Sequence, residues 1–368
     1  MKILFCGGGT AGHVSPAIAM AEILEESKYK CECAFVGRSG GEENLAIVKE
    51  GYKLYTIEIE GIRRKISPQA IKGCIKAIRS LKKAEEIIDD FKPDLIIGTG
   101  GYVCWPVIRI GIKKRIKTAI HESNAAPGLV TRLLAPKCDA VLINLKKTQK
   151  ALKNCKSIRI IGNPMRQGFN KKSKTECRHE LNVKDNELLI VSFGGSLGSK
   201  RLNEVLTSVM KNYSVKNPIV RHVHGTGRRY YPEYQERYPE LCRGVGKCKI
   251  TPYIDNMPVL LHAADIAITR CGAITLSELG RAEVCGVLIP SPNVSGNHQL
   301  HNAKYIAENG GGILIEEENL EENELVKTLD ELIKSKEKRE SYAKKIKQIC
   351  PQNSTKLFLD FIEEITFK

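Results

Sequence analysis

Short apolar runs alternate with amphipathic segments along most of the chain. This alternation predicts strands that are each followed by a helix, the order typical of parallel βαβ units. A polar, basic stretch at 170–180 separates two such series, and Pro164 ends the first. The predicted strands cover 2–6, 33–37, 95–99, 117–121, 140–144 and 159–164, then 188–195, 220–227, 264–270 and 286–292. The pattern predicts an α/β protein with two Rossmann-like, doubly wound parallel-sheet domains.

Two glycine-rich loops occupy matching places in the two series. The loop at 7–13, GGGTAGH, follows the first strand, and the loop at 194–199, GGSLGS, follows the first strand of the second series. Both precede a predicted helix, where unpaired N–H groups and the helix dipole attract phosphate. Glycine lets the backbone approach an anion closely. Either loop alone is compatible with a plain tight turn, but the pair favours phosphate chemistry in both domains.

The first loop also satisfies the dinucleotide pattern G-x-G-x-x-G. A nicotinamide-dependent oxidoreductase of that type needs an acidic residue after the second strand to hold a ribose. Here the strand at 33–37 runs into Arg38, so only a phosphorylated dinucleotide such as NADP fits. This alternative leaves the second glycine loop without a role.

Composition narrows the class of protein. The 368 residues are 42% hydrophobic and 27% charged, which is typical of a soluble globular chain and excludes global disorder. No run reaches the roughly 18 apolar residues of a spanning helix, and MKILFC is too short for a signal peptide. Thirteen scattered cysteines without a C-x-x-C favour free thiols. We therefore expect a cytoplasmic protein.

The net charge of +16 is concentrated in one part of the chain. Residues 51–250 hold 40 basic and 17 acidic side chains, which predicts an anionic partner. Nucleic acid is disfavoured because no recognition motif or basic tail is present. The segment 61–83 predicts a basic amphipathic helix from Pro68, which suits either anionic lipid or an ordinary packing of its Ile stripe on the sheet.

Several polar side chains follow predicted strands, at the edge where ligands bind in such sheets. Glu278 falls early in a helix predicted to start near Ala273, where it suits the two hydroxyls of a ribose. The other candidates are Tyr102, His121, Glu122, Asn124, Gln299 and Asn302. Each alone is also compatible with helix capping or solvation. No D-x-D and no His/Cys ligand spacing occurs, so neither a metal nor a cofactor is predicted. Arg166 is a candidate cation for a diphosphate.

Eight separated motifs together resemble the MurG family of peripheral membrane N-acetylglucosaminyltransferases. They run in the family's order from residue 3 to about 310: GGGTAGHVSPAIAMAEIL, GTGGYV, HESNAAPGLVTRLLA, GNPMR, FGGSLGSKRLNE, YIDNM, TRCGAITLSELG and NHQLHNAKYI. The resemblance implies a GT-B fold, with domains at 1–163 and 164–349 across a cleft and a final helix, about 350–368, returning to the first. It also implies inverting, metal-independent transfer from UDP-N-acetylglucosamine to the muramyl 4-hydroxyl of undecaprenyl-diphosphate-linked muramyl-pentapeptide, at the cytoplasmic face of the membrane. A related transferase with another lipid acceptor is the nearest alternative.

The resemblance also implies roles for individual residues. Ile254 would meet uracil and Glu278 the ribose, while Gln299 and Asn302 would touch sugar hydroxyls. The diphosphate would contact Ser196, Arg166 and the helix start at Ala273, Ile274 and Thr275. Thr10, Ala11, Gly12 and Asn124 would face the cleft, and the acceptor would meet Gly9, His13, Tyr102 and His121. The sequence departs from the family pattern at two positions. Ala11 stands where Gly is common and narrows the first glycine loop. His298 stands where some members have a second Gln, so no sugar contact is assigned to position 298.

Inversion requires a base that accepts the proton of the acceptor hydroxyl. His13 is the candidate because imidazole titrates near neutrality, and Glu122 is its rival. Phosphate binding by His13 is an equally open interpretation. The sequence assigns no oligomeric state.

Overall fold

The computed structural model describes residues 1–41, 44–59, 68–165, 169 and 172–367. The chain divides into two compact units, Met1–Arg166 with Asn353–Lys368, and Gln167–Gln352. The boundary predicted from sequence, 163/164, lies three residues before this division. Among the described residues, no helix combines the length and apolar character needed to cross a bilayer.

The first unit contains a seven-stranded sheet in the order β3-β2-β1-β4-β5-β6-β7, and every pairing is parallel. Its central strands are buried on both faces, which explains why they form continuous apolar runs. The strands are β1 Lys2–Gly7, β2 Glu32–Arg38, β3 Lys53–Ile57, β4 Leu95–Gly100, β5 Lys117–Glu122, β6 Ala140–Ile143 and β7 Ile158–Ile160.

Helices cover the faces of this sheet, and the C-terminal helix belongs to the same unit. Phe358, Phe361 and Ile362 of that helix lie in one hydrophobic cluster with residues of the first helix and of β1. The helices are α1 Ala11–Glu26, α2 Asn44–Lys49, α3 Pro68–Phe91, α4 Cys104–Lys113, α5 Leu129–Leu134, α6 Lys146–Gln149 and, from the chain's end, α16 Ser354–Phe367.

The second unit repeats the design with six parallel strands in the order β10-β9-β8-β11-β12-β13. The strands are β8 Leu188–Phe193, β9 Val220–Gly225, β10 Cys248–Thr251, β11 Ile266–Thr269, β12 Cys285–Leu288 and β13 Ile313–Leu314. The helices are α7 Lys174–Glu180, α8 Lys200–Val209, α9 Tyr231–Arg237, α10 Pro239–Arg243, α11 Met257–Ala263, α12 Ala273–Ala282, α13 His298–Glu308, α14 Glu322–Lys334 and α15 Lys336–Ile349.

The prediction of two parallel-sheet α/β domains is confirmed, and every strand predicted from an apolar run is present. Three strands escaped prediction: β3, β10 and β13. All three lie at sheet edges, where one side lacks a neighbour, and β10 and β13 are only four and two residues long. Short or partly exposed edge strands carry a weak apolar signal.

Candidate active site

The first glycine loop is packed against the turn that follows β4. Gly8 N–H donates to the Gly100 carbonyl at 3.3 Å. Gly101 has φ +82°, and a Cβ there would lie 2.0 Å from the Gly8 oxygen; a Cβ on Gly100 would lie 2.6 Å from Cδ2 of His13. Only glycine permits this approach, so two backbone turns and one imidazole form a single cluster at the carboxyl edge of the sheet.

His13 lies in the first turn of α1, and its ring is oriented by the loop itself. Its Nδ1 lies 2.9 Å from the Gly8 carbonyl oxygen. A carbonyl only accepts hydrogen bonds, so Nδ1 carries the proton and the neutral ring has its lone pair on Nε2. Thr10, the exposed residue before the helix, makes no side-chain capping bond. Gly9, with φ +90°, and Gly12 are exposed beside it, and Ala11 is the first helical residue.

Glu122 ends β5 and organises the loop that follows. Its Oε1 accepts from the backbone N–H and the side-chain amide of Asn124 at 3.0 and 3.1 Å. Its Oε2 accepts from Gly128 N–H at 3.0 Å and from the Thr131 hydroxyl at 2.7 Å. The carboxylate is 5% exposed and both oxygens are engaged. Its position therefore fits a group that fixes the shape of residues 122–131.

His121 and Tyr102 differ sharply in accessibility. His121 has no exposed surface; its Nε2 donates to the Gly162 carbonyl at 2.9 Å, and burial lowers the pKa of the ring. The ring therefore links β5 to the segment after β7, beneath the surface. Tyr102, in the turn before α4, is 47% exposed. Of these two predicted acceptor contacts, only Tyr102 presents its side chain at the surface.

The second glycine loop is also held by close backbone packing, but against a different neighbour. Gly198 has φ +73°, and a Cβ there would lie 2.0 Å from the carbonyl oxygen of Thr226, in the turn after β9. Buried Asn203, on α8, donates to that same carbonyl at 2.9 Å. Ser196 and Leu197 are exposed at the tip of the loop. The hydroxyl and backbone N–H groups at the tip are accessible to a ligand.

A third element, the start of α12, lies beyond the adjacent strand β11. Gly272 precedes the helix with φ −61° and ψ 140°, and as a glycine it offers no side chain of its own to cap the first turn, formed by Ala273, Ile274 and Thr275. The first N–H groups of a helix have no partner within it. This helix start therefore has the features of an anion-binding site.

The two amide side chains predicted to touch sugar are both bonded to backbone. Gln299 Oε1 accepts from Cys271 N–H at 3.1 Å and from Ser291 N–H at 2.9 Å. Asn302, which is fully buried, donates to the Cys271 carbonyl at 3.2 Å. Both residues hold the segment that leads into α12, and the side-chain amide N–H groups of partly exposed Gln299 are the groups suited to meet a ligand.

Glu278 and Ile254 lie at the same edge of the second sheet. Glu278 is partly exposed on α12, and desolvation raises the pKa of its carboxyl to about 7. Ile254 follows β10 and packs against the backbone of Gly225 at the end of β9. The Arg228 guanidinium stacks over the ring of Tyr253 at 5.1 Å, next to Ile254.

Arg166 lies outside the described residues, so its predicted role has no geometry. In the described part of the chain, no group of three or more His, Cys, Asp and Glu side chains is placed to hold a metal ion.

The prediction missed Arg270, which is 7% exposed at the end of β11 and bonded to the second glycine loop. A cation directly after a buried strand was the available signal.

Comparison with known proteins identifies the family. Residues 3–143 match the glycosyltransferase family 28 N-terminal domain, and residues 189–360 match the C-terminal domain of that family. The chain is 37% identical, over 99% of its length and 98% of the relative, to the UDP-N-acetylglucosamine–N-acetylmuramyl-(pentapeptide) pyrophosphoryl-undecaprenol N-acetylglucosamine transferase of Carboxydothermus hydrogenoformans. The chain belongs to the MurG family.

Solved structures agree with the MurG assignment. The crystal structure of Acinetobacter baumannii MurG matches with a TM-score of 0.79 at 26% identity, over 99% of both chains. A UDP-GlcNAc 2-epimerase from Neisseria meningitidis matches with a TM-score of 0.63 at 13% identity, which shows the fold alone. The predicted GT-B fold and glycosyltransferase class are confirmed, and the oxidoreductase alternative is not favoured.

Proposed function

We propose that this MurG-family chain transfers N-acetylglucosamine from UDP-N-acetylglucosamine to the muramyl 4-hydroxyl of undecaprenyl-diphosphate-linked muramyl-pentapeptide, with inversion. The observation that carries the proposal is the full-length match to relatives named for this transfer, at 37% and 36% identity. Two glycine loops, each at the carboxyl edge of a parallel sheet, suit a reaction with a diphosphate in both substrates.

The second unit holds the donor in this proposal. Ser196 and the first N–H groups of α12 bind the diphosphate, assisted by Arg166. The Glu278 carboxylate accepts from both ribose hydroxyls, and the backbone at Ile254 reads the uracil edge. Gln299 donates to a sugar hydroxyl, and Asn302 supports it by fixing the segment before α12. As the bond between the anomeric carbon and the diphosphate oxygen breaks, N–H groups and the helix dipole stabilise the charge on UDP.

The first unit supplies the acceptor site and the base. Nε2 of His13 accepts the proton of the 4-hydroxyl while that oxygen forms its bond to the anomeric carbon. Donation from Nδ1 to the Gly8 carbonyl supports this role, because it leaves the lone pair on Nε2. Glu122, with both oxygens engaged, acts by shaping the loop that carries Asn124.

The membrane contact proposed here uses the basic segment 61–83 against the anionic cytoplasmic leaflet. Residues 60–67 lie outside the described residues. Further along α3, Ile78 is 69% exposed and lies next to the exposed cations Arg79, Lys82 and Lys83. An apolar side chain flanked by cations suits the interface of an anionic bilayer and supports peripheral attachment.

The decisive experiment measures transfer of labelled N-acetylglucosamine from UDP to a synthetic lipid-diphosphate muramyl-pentapeptide, with diacylglycerol as the control acceptor. We expect product only with the muramyl acceptor, and inhibition by UDP. Transfer to diacylglycerol alone would favour the alternative lipid acceptor, and NADPH binding without competition by UDP would contradict the transferase assignment.

A further inference from the structure

Arg270 forms a buried junction at the carboxyl edge of the second sheet. Its Nη1 donates to the carbonyl oxygens of Ile289 and Pro290 at 3.3 and 3.2 Å, just after β12. Its Nη2 donates to the Ser199 hydroxyl and to the Glu317 carboxylate. Arg270 therefore connects the end of β11, the exit of β12, the second glycine loop and the segment after β13.

This bonding excludes a direct phosphate contact through the Nη groups of Arg270. Each Nη carries two hydrogens, and each is matched to two acceptors within the protein. Arg270 is 7% exposed, so its effect on a ligand passes through the groups that it holds.

Ser199 is the group through which Arg270 reaches the glycine loop. It precedes α8 in an extended conformation, yet its hydroxyl makes no capping bond to the helix and accepts from Arg270. The loop closes tightly at this point, since a Cβ on Gly194 would lie 2.8 Å from Ser199 N. Holding Ser199 therefore fixes the end of the loop whose tip is Ser196.

Glu317 is the only charged partner of Arg270 among the described residues. It lies in a single 3₁₀ turn, Glu317–Asn319, outside every motif that carries the family resemblance. Its side chain is 18% exposed, so the ion pair is largely removed from water. The same segment is bonded to α8, because Arg201 donates to the Leu320 carbonyl at 2.7 Å.

We propose that Glu317 is a positioning residue for the donor diphosphate. It holds the Arg270 guanidinium in the orientation that fixes Ser199, and thereby aligns the N–H groups of residues 194–199 with the phosphates. The inference rests on the proposed function, in which this loop binds the diphosphate of UDP.

The sign of the effect separates positioning from simple electrostatics. Removing a carboxylate near an anion site makes the local potential more positive, which by itself strengthens UDP binding. Loss of positioning weakens it, because misaligned N–H groups forfeit charge-assisted hydrogen bonds. A weaker affinity for UDP after Glu317→Ala therefore identifies the positioning role.

The test compares dissociation constants for UDP and uridine by titration calorimetry in the wild type, Glu317→Ala, Glu317→Gln and Glu318→Ala. We expect Glu317→Ala to weaken UDP binding about tenfold, the scale of one charge-assisted hydrogen bond, with uridine binding unchanged. Glu317→Gln retains an acceptor for Arg270 and recovers part of the loss. Glu318 is exposed and makes no ion pair with a described residue, so Glu318→Ala should match the wild type.

The outcomes distinguish this inference from the proposed function. If the wild type binds UDP no more tightly than uridine, the diphosphate site itself fails. If the wild type prefers UDP but Glu317→Ala leaves UDP affinity unchanged or higher, the positioning role fails. Should Glu317→Ala fail to fold, Ser199→Ala supplies the same test: a selective loss of UDP affinity supports the inference, and unchanged affinity overturns it.

Discussion

The two glycine loops occupy equivalent places in equivalent sheets, yet their surroundings differ. In the first unit, the turn after β4 lies directly on the loop, and the imidazole of His13 packs against Gly100 and Gly101 of that turn and is bonded to the Gly8 carbonyl of the loop. In the second, the turn after β9 packs on the loop, and the end of β11 reaches it through the Arg270 side chain. One loop carries a titratable ring and the other is fixed by a cation. This difference suits proton transfer in the first unit and stabilisation of negative charge in the second.

The largest expected effect comes from removing the titratable ring. His13→Ala should lower kcat by about 10² to 10⁴, the usual contribution of a general base, with little change in the KM for UDP-N-acetylglucosamine. Steady-state kinetics with both substrates provides the measurement, and His179→Ala, an exposed histidine on α7, is the control. An unchanged kcat would remove His13 from the base role.

Adding one methyl group to Gly198 in the second loop, or to Gly101 in the turn that packs on the first loop, should separate diphosphate binding from proton transfer. Gly198→Ala places a Cβ 2.0 Å from a carbonyl and should weaken UDP binding about ten- to a hundredfold, through one or two lost charge-assisted bonds. Gly101→Ala creates the same clash in the first unit and should lower kcat while leaving UDP affinity unchanged.

The controls are Gly40→Ala and Gly246→Ala, which have φ +69° and +56° but open space around the added Cβ. They report the cost of positive φ without a clash. If Gly101→Ala weakened UDP binding as much as Gly198→Ala, the assignment of diphosphate binding to the second loop and of proton transfer to the first would be wrong.

The Glu122→Gln variant tests whether Glu122, rather than His13, is the general base of the first unit. Glu122→Gln replaces one carboxylate oxygen, which accepts two hydrogen bonds, by an amide NH₂ that can only donate, so residues 124–131 lose part of their anchoring. We expect kcat to fall about tenfold, the scale of one lost bond to a charged group, with the acid limb of the pH profile retained. Disappearance of that limb in Glu122→Gln, and its persistence in His13→Ala, would reverse the two assignments.

Glu278 should give the second unit its own pH dependence. Its pKa is raised to about 7, and in the proposed ribose contact only the carboxylate can accept from both hydroxyls. Affinity for uridine, which has no phosphate that titrates in this range, should therefore fall about tenfold between pH 8 and pH 6, as the ionised fraction of Glu278 drops. Calorimetric titration across this range should show the slope in the wild type and a flat profile in Glu278→Gln. A flat wild-type profile would contradict the ribose contact.

The smallest expected effect is that of a chelator. Backbone N–H groups, a helix start and Arg166 are proposed to stabilise the departing UDP, so activity with excess EDTA should stay within about twofold of the untreated value. If EDTA abolished activity and added magnesium restored it, these groups would be insufficient to stabilise the departing UDP without a divalent ion.

Local patterns in the sequence predicted the parts of the site that depend on neighbouring residues. Glycine spacing after an apolar run predicted both loops, and the run before Cys271 predicted a helix starting at Ala273. Side-chain contacts between residues far apart in the sequence left no local pattern from which they could be predicted. Glu317 is 47 residues from Arg270, and only the sheet order brings them together.

The same limit applies to candidate site residues that the sequence singled out but whose hydrogen-bond partners it could not predict. Gln299 uses its oxygen on two backbone N–H groups, and Glu122 uses both oxygens on its own loop. His121 lies within β5, and its complete burial depends on what packs above that strand. Residue type indicates what a side chain can bond, whereas the fold decides which partner it meets.

Hydrogen exchange of backbone amides with and without UDP tests the division between the loops most directly. We expect UDP to slow exchange at 194–199 and at 273–275, and to leave exchange at 8–13 unchanged until the lipid-linked acceptor is added. Protection by UDP at 8–13, with none at 194–199, would contradict it.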